Sequence, residues 1–323
     1  METRGLTTRR NTRNGCDHVF TLNVQNTSQN VRLSASRPGL PPLLVVQAGP
    51  GLPVLNEVSR FQKCLRLEEE FTVAYWEQRG CGTAPRSAAH TVTMKTQLDD
   101  LREVIRWMSE KTGQKVLVLG ISIGATLALQ ATPHEDKHLY AVVAISPDTD
   151  VRLADAAAHD SIVLQCSKAE NKRLLSGIQR LGKPPYTDPA LFQLRARLMS
   201  DLGGIEHGKN FGQLMRGMFS GLLGTYGPFG TITALRNMSV VQARLLGELV
   251  GLNLFAAWPQ SRVPVRFVFG ENDILTPPSL IRKVSERLAG DDSLVTLPRA
   301  GHLVHFDQPQ AVREIVLQAH RGS

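Results

Sequence analysis

The sequence lacks long apolar runs. Nowhere in its 323 residues does one approach the ~18 consecutive apolar residues of a membrane span, so no membrane partner is expected. Cys16, Cys64, Cys81 and Cys166 stand far apart with no C-x-x-C, which argues against a disulfide framework and a zinc site. Reduced, packed thiols are expected instead, with no metal and no other cofactor. Aromatic residues make up only 6%, and none interleave with basic residues in a patch. The formal charge of +8 is therefore not read as a nucleic-acid surface. Acids are missing after Glu2 from "METRGLTTRRNTRNG", where Arg4, Arg9, Arg10 and Arg13 gather. Residues 1–16 read as a mobile basic N-terminus. That stretch has neither a signal peptide's apolar centre nor enough apolar content for a targeting helix, so a cytoplasmic location is expected.

What is present is an ordinary globular composition, 42% hydrophobic, arranged as alternating strands and helices. "HVFTLNV" and "VRLSAS" read as an early hairpin. "PLLVVQAGPG" is a buried strand entering a glycine-rich loop. A helix near Val54–Glu70, the strand "FTVAYW" and a helix across Thr96–Lys111 follow, then "KVLVLGISIGATLALQA" and "LYAVVAIS". Such alternation predicts an α/β fold, a mostly parallel twisted sheet with helices on both faces. The alternation stops near Asp150 and resumes at "PVRFVFGENDILTP". The intervening runs, among them "SKAENKRLLSGIQRL", "PALFQLRARLMSDL", "NFGQLMRGMFSGLL" and "SVVQARLLGELVGLNLF", are helical. We therefore expect a core of residues 17–150 and 260–323, with 151–259 as an all-helical cap over the strands' C-terminal edge, where open α/β sheets bind ligands.

Gly120-Ile121-Ser122-Ile123-Gly124 fits G-x-S-x-G between a buried strand and a helix. A sharp turn there lifts the Ser122 hydroxyl clear of the sheet and aims the Ile123 amide at the same space. A serine needs an imidazole to take its proton, and the imidazole needs a carboxylate to fix its tautomer. Asp273, in "ENDILTPP", and His302, in "AGHLVHF", each follow a later strand, giving the chain order Ser…Asp…His of the α/β-hydrolases. Asp148, in "SPDTD", is a second candidate acid and His305 a rival base. Asp307 and Glu271 read as solvent-facing. A second oxyanion donor is expected from "QAGPG", Gln47 to Gly51, after the strand "LLVV".

These residues resemble the α/β-hydrolase superfamily and, within it, the proline iminopeptidase-like serine hydrolases. "QAGPG" is similar to that group's H-G-G-P-G loop, "YWEQRGCGTA" to its D-Q-R-G-x-G-x-S segment, and "GENDILTP…GHLVHFDQP" to its acid and histidine segments. The resemblance spans roughly Leu43 to Asp150 and Val263 to the C-terminal helix. It implies Ser122 as nucleophile, Asp273 as acid, His302 as base, and Gly49 with Ile123 as oxyanion donors. Glu77, Gln78 and Arg79 match the D-Q-R stretch and are expected to organise the loop beneath the site, Glu77 also being counted as a substrate contact. Gln47, Ala48, Ile121 and Ile123 depart from the group's pattern. Its peptidases hold the substrate's free amine with cap carboxylates. Among Asp155, Asp160, Glu170, Asp188, Asp201, Glu206 and Glu248, the first choice is Glu206, on the glycine-flanked "GGIEHG", and the second is Glu248.

The expected function is a serine hydrolase acting through an acyl-enzyme on a small molecule or short peptide, foremost an aminopeptidase. The alternatives are an esterase or lactonase with an apolar pocket, in which "LMRGMFSGLL" lines the cap, and a non-catalytic receptor on the same fold.

Overall fold

The computed structural model describes residues 15–168 and 172–322. The expected mobile N-terminus, save its last two residues, and Glu170 lie outside them. One sheet organises the molecule. Its strands are β1 (Cys16–Val24), β2 (Thr27–Ala35), β3 (Pro42–Val46), β4 (Thr72–Trp76), β5 (Val116–Ile121), β6 (Leu139–Ile145), β7 (Val265–Gly270) and β8 (Ser293–Leu297). They lie in the order β1-β2-β4-β3-β5-β6-β7-β8. β1 and β2 form the expected hairpin across Gln25 and Asn26, whose φ of 46° and 60° suit a two-residue turn between twisted strands. β2 runs antiparallel to β4, and every pairing from β4 through β8 is parallel.

The parallel strands are apolar on both faces because both faces are covered. Leu44, Val46, Val116 and Val118 join one core with Leu101, Ile105 and Met108 of a helix, while Leu43, Val45, Leu117, Leu119 and Ile121 join the other. Alternate residues of a strand thus feed opposite cores. Each such buried side chain contributes about 1.5–3 kcal/mol relative to exposure.

The helices are α1 (Val58–Leu65), α2 (Arg86–His90), α3 (Met94–Thr112), α4 (Ile123–Ala131), α5 (Val151–Lys168), α6 (Lys172–Leu181), α7 (Pro189–Asp201), α8 (Phe211–Val250), α9 (Pro278–Ser285), α10 (Val304–Asp307) and α11 (Pro309–Arg321). α1 is shorter than its apolar pattern suggests. The amides of Val54 and Leu55, where the sequence pattern began the helix, are instead held by the Glu77 carboxylate. α3 starts one residue after Thr93, whose hydroxyl forms a capping box with Thr96.

Between β6 and β7 lie α5, α6, α7 and α8, the all-helical insert. α8 unites two runs that the sequence separates, and it breaks stride at Gly227, whose φ is 67°, just before Pro228. Proline suits the first turn of the resumed helix, where no amide donor is needed. No helix of the described residues is long and apolar enough to cross a membrane.

Candidate active site

The G-x-S-x-G turn joins β5 to α4. Ser122 has φ 54° and ψ −124°, a conformation costing about 1–3 kcal/mol for a residue with a side chain. Its flanking glycines are demanded by close backbone. A Cβ at Gly120 would lie 2.5 Å from Ala125 Cα, and one at Gly124 would lie 2.2 Å from the Val46 carbonyl oxygen. The Ser122 amide donates to Ile145 at 2.8 Å, and the Ser122 carbonyl accepts from Ala125 at 2.9 Å and Thr126 at 3.1 Å. Sheet and helix therefore share the strained residue between them. Ile123, at the first position of α4, has no intrahelical acceptor for its amide.

Asp273 and His302 end the neighbouring strands β7 and β8. His302 Nε2 lies 2.9 Å from Ser122 Oγ, and His302 Nδ1 lies 2.9 Å from Asp273 Oδ2. The other Asp273 oxygen accepts from the Leu275 amide at 2.9 Å, so the carboxylate is aimed from both sides. Burial raises the Asp273 carboxyl, but the His302 charge and hydrogen bond outweigh it and hold the group below its ordinary range. Burial likewise lowers His302, and Asp273 reverses the sign, so the imidazole titrates above its ordinary value. A hydroxyl, a ring nitrogen and a carboxylate bonded in series can pass the serine proton to the ring and stabilise the ion that forms.

His305 is not part of this series. Its ring stacks on Phe61 at 5.2 Å, neither nitrogen has a partner, and burial keeps it neutral. Asp148 is not the orienting acid either. Its Oδ2 lies 3.2 Å from Ser122 Oγ, whereas the carboxylate at His302 Nδ1 is that of Asp273. Burial pushes its carboxyl above the ordinary range, against the opposing pull of His302. The expectation that Asp307 faces solvent is corrected. It is half-buried and accepts from the Gly301 amide at 2.8 Å and the His207 amide at 2.9 Å, tying the histidine loop to the insert. The same two segments meet again through His302 N to Gly204 O, 3.0 Å, and Leu303 N to Ile205 O, 2.8 Å.

The "QAGPG" loop lies across the start of α4. A Cβ on Gly49 would be 3.1 Å from Ile123 Cγ2, so Gly49 packs against the side chain of Ile123. Gln78 steadies this loop by donating to the Gln47 carbonyl at 3.3 Å. Arg79 grips Asp100 of α3 with two bonds of 2.7 and 2.6 Å. Of these two, Gln78 thus touches the loop and Arg79 ties the segment to α3.

Ser122 and His302 open into a cavity of about 620 Å³ between the sheet edge and α5, α7 and α8. Its wall is largely apolar, with Phe192, Met199, Phe211 and Leu275, and it carries Asp148, Asp155, Glu57 and Glu206. Of the three glutamates expected to meet substrate, only Glu206 lines this space. Glu77 is corrected to a brace: its second oxygen accepts from Tyr226 of α8 at 2.6 Å. Glu248 is corrected to a surface residue that accepts from the Met94 amide at 3.0 Å, at the start of α3. Even Glu206 is already served, one oxygen taking both Arg60 and Lys209 while the other is buried without a partner.

Sequence reasoning missed the Asp155–Arg195 pair at the cavity wall. Burial draws the Arg195 guanidinium down to about 10, and its Nε has no partner. The available signal was the buried four-residue repeat Ala154, Ala158, Ile162, Cys166 in α5, which turns Asp155 beside the inward stripe.

Comparison with known proteins agrees with this architecture. The chain is 27% identical over 296 residues to "Probable aminopeptidase YbaC" of Bacillus subtilis (strain 168), covering 89% of this chain and 91% of that one. The proline iminopeptidase-related protein of Thermus thermophilus superposes with a TM-score of 0.64 at 20% identity, covering 95% of this chain and 98% of that one. E-2-(acetamidomethylene)succinate hydrolase superposes with a TM-score of 0.59 at 19% identity, covering 95% and 99%. At those identities the structural likenesses speak for the fold. Residues 59–315 match the model of the alpha/beta hydrolase family, and the chain belongs to that family.

Proposed function

We propose that the protein is a serine hydrolase that releases an N-terminal residue from short peptides, with Ser122 as nucleophile, His302 as base and Asp273 as orienting acid. The observation that carries this reading is the hydrogen-bonded series from Asp273 through His302 to Ser122, at the floor of a covered cavity. Ser122 Oγ attacks the scissile carbonyl carbon while His302 Nε2 takes its proton. The amides of Ile123 and Gly49 receive the oxyanion, each donor lowering the barrier by about 3 kcal/mol. The tetrahedral intermediate collapses, the leaving amine takes the proton from His302, and an acyl-enzyme remains. A water molecule, deprotonated by His302, then frees the acid and restores Ser122.

An amine-bearing substrate is favoured over a neutral one because the wall carries four carboxylates, Glu57, Asp148, Asp155 and Glu206, against the three cations Arg60, Arg195 and Lys209. An unpaired ammonium there would cost several kcal/mol. The name of the Bacillus subtilis relative points the same way. Ester hydrolysis is the second reading, favoured by the apolar lining of Phe192, Met199 and Leu275. A panel comparing prolyl and alanyl arylamides with a short-chain aryl ester separates them. The aminopeptidase reading expects amide turnover that a blocked amine abolishes. Turnover of the ester alone would reject it. Ser122→Ala should leave only the small residual rate that binding and the oxyanion hole provide and should remove fluorophosphonate labelling, and undiminished labelling would assign the nucleophile elsewhere.

A further inference from the structure

Asp148 has no part in the series just described, yet it shares the serine. The Ser122 hydroxyl carries one proton and has two acceptors within reach, His302 Nε2 at 2.9 Å and Asp148 Oδ2 at 3.2 Å. An ionised carboxylate in that position opposes acyl transfer in two ways. It holds the proton away from the base, and it adds negative charge to a site where the transition state is itself becoming negative. Among the described residues no lysine or arginine pairs with it. The charged groups that face it are His302, Arg195 of α7 and Asp273, and Arg195 is engaged by Asp155. A cation brought by the substrate would complete this arrangement.

We infer that Asp148 receives the α-ammonium group of the substrate and is the residue that selects for a free N-terminus. This rests on the aminopeptidase reading and adds to it the identity of the amine's partner. At the point of attack the acyl carbon lies about 3–3.5 Å from Oγ. The α-nitrogen is two bonds further on, about 2.5 Å from that carbon. A carboxylate oxygen 3.2 Å from Oγ is thus within salt-bridge reach of it. Topology agrees. β5 carries the serine, with β3 on one side and β6 on the other. The loop after β3 is the oxyanion side, and Asp148 follows β6, so the acyl oxygen and the α-carbon diverge towards opposite neighbours. An ammonium on Asp148 draws that carboxylate off the hydroxyl and leaves the proton to His302. Glu206, matched by Arg60 and Lys209, offers no comparable vacancy of charge.

The test compares kcat/KM on alanyl aminomethylcoumarin and on its des-amino counterpart, propionyl aminomethylcoumarin, for wild type, Asp148→Asn and Glu206→Gln. Wild type should strongly prefer the alanyl substrate. Asp148→Asn should reduce that preference by about 10- to 150-fold, the range for losing a hydrogen bond to a charged group, and by much more than Glu206→Gln does. Asp148→Ser serves as a second variant if the asparagine protein does not fold. An intact preference in Asp148→Asn overturns the inference, as does an equal fall on both substrates. Collapse in Glu206→Gln alone moves the amine to the insert and leaves the aminopeptidase reading standing. Wild-type turnover of esters but of neither amide removes that reading, and the inference with it.

Discussion

At the scale of single residues, Asp273 sets both the geometry and the titration of His302. Asp273→Asn keeps the shape but presents the wrong hydrogen-bond partner to Nδ1, so kcat should fall by about 10⁴, measured against an unchanged unfolding midpoint. A near-normal Asp273→Asn would move the orienting role to another carboxylate. The base must be neutral, and Asp273 raises the His302 pKa despite burial, so the acid limb of kcat/KM should lie above about 6.5. A midpoint below that value would contradict the pairing. The same shift has the opposite sign for stability. The imidazolium–Asp273 pair stabilises the fold fully below the unfolded pKa, and that contribution fades as pH rises through the folded one. Ser122, Asp273 and His302 were legible because each residue type stands at the end of a strand in the family's chain order. Asp148 was legible only as a spare acid. Its reach to the hydroxyl depends on β6 lying beside β5, and that pairing is a tertiary fact.

At the scale of elements, the turn between β5 and α4 is the least forgiving piece of the chain. A methyl group at Gly124 meets the carbonyl oxygens of Val46 and Gln47 at 2.2 and 2.6 Å, both backbone atoms of β3 and its loop. Gly124→Ala should therefore cost about 1–3 kcal/mol and slow fluorophosphonate labelling, read by thermal unfolding and by labelling rate. Gly247, in α8 with open space around its Cβ position, is the control. Gly247→Ala should be neutral or stabilise by up to about 1 kcal/mol. The strands of the parallel sheet were legible from their uninterrupted apolar runs. The bounds of α1 and the union of α8 were not. Glu77 decides the first by capturing two amides from a distant strand, and Gly227–Pro228 permits the second where the sequence signals a stop.

At the scale of the molecule, the insert is fastened to the sheet by a few buried polar contacts. Tyr226 reaches Glu77, and Asn237 Nδ2 donates to the carbonyls of Gly82 and Ala84 at 3.0 and 2.9 Å. Tyr226→Phe should leave one oxygen of buried Glu77 without a donor and lower stability by about 1–3 kcal/mol, measured by denaturant unfolding. No loss would mean that water takes the hydroxyl's place. That an insert exists was legible from the halt in strand–helix alternation. These fastenings were not, because each joins a side chain to a partner more than a hundred positions away.

The short antiparallel bridge between Asp150 and Asn253 has a consequence of another kind. The chain leaves the sheet and returns to it at a single clasp, so the whole helical excursion is one loop tied at its neck. Closing such a loop costs only with the logarithm of its length, about 0.6 kcal/mol per doubling. Insertions, deletions or wholesale exchange beyond the neck can therefore remodel the chamber while the strands keep their register. The clasp marks where a protein engineer would cut to graft a new roof onto an old floor.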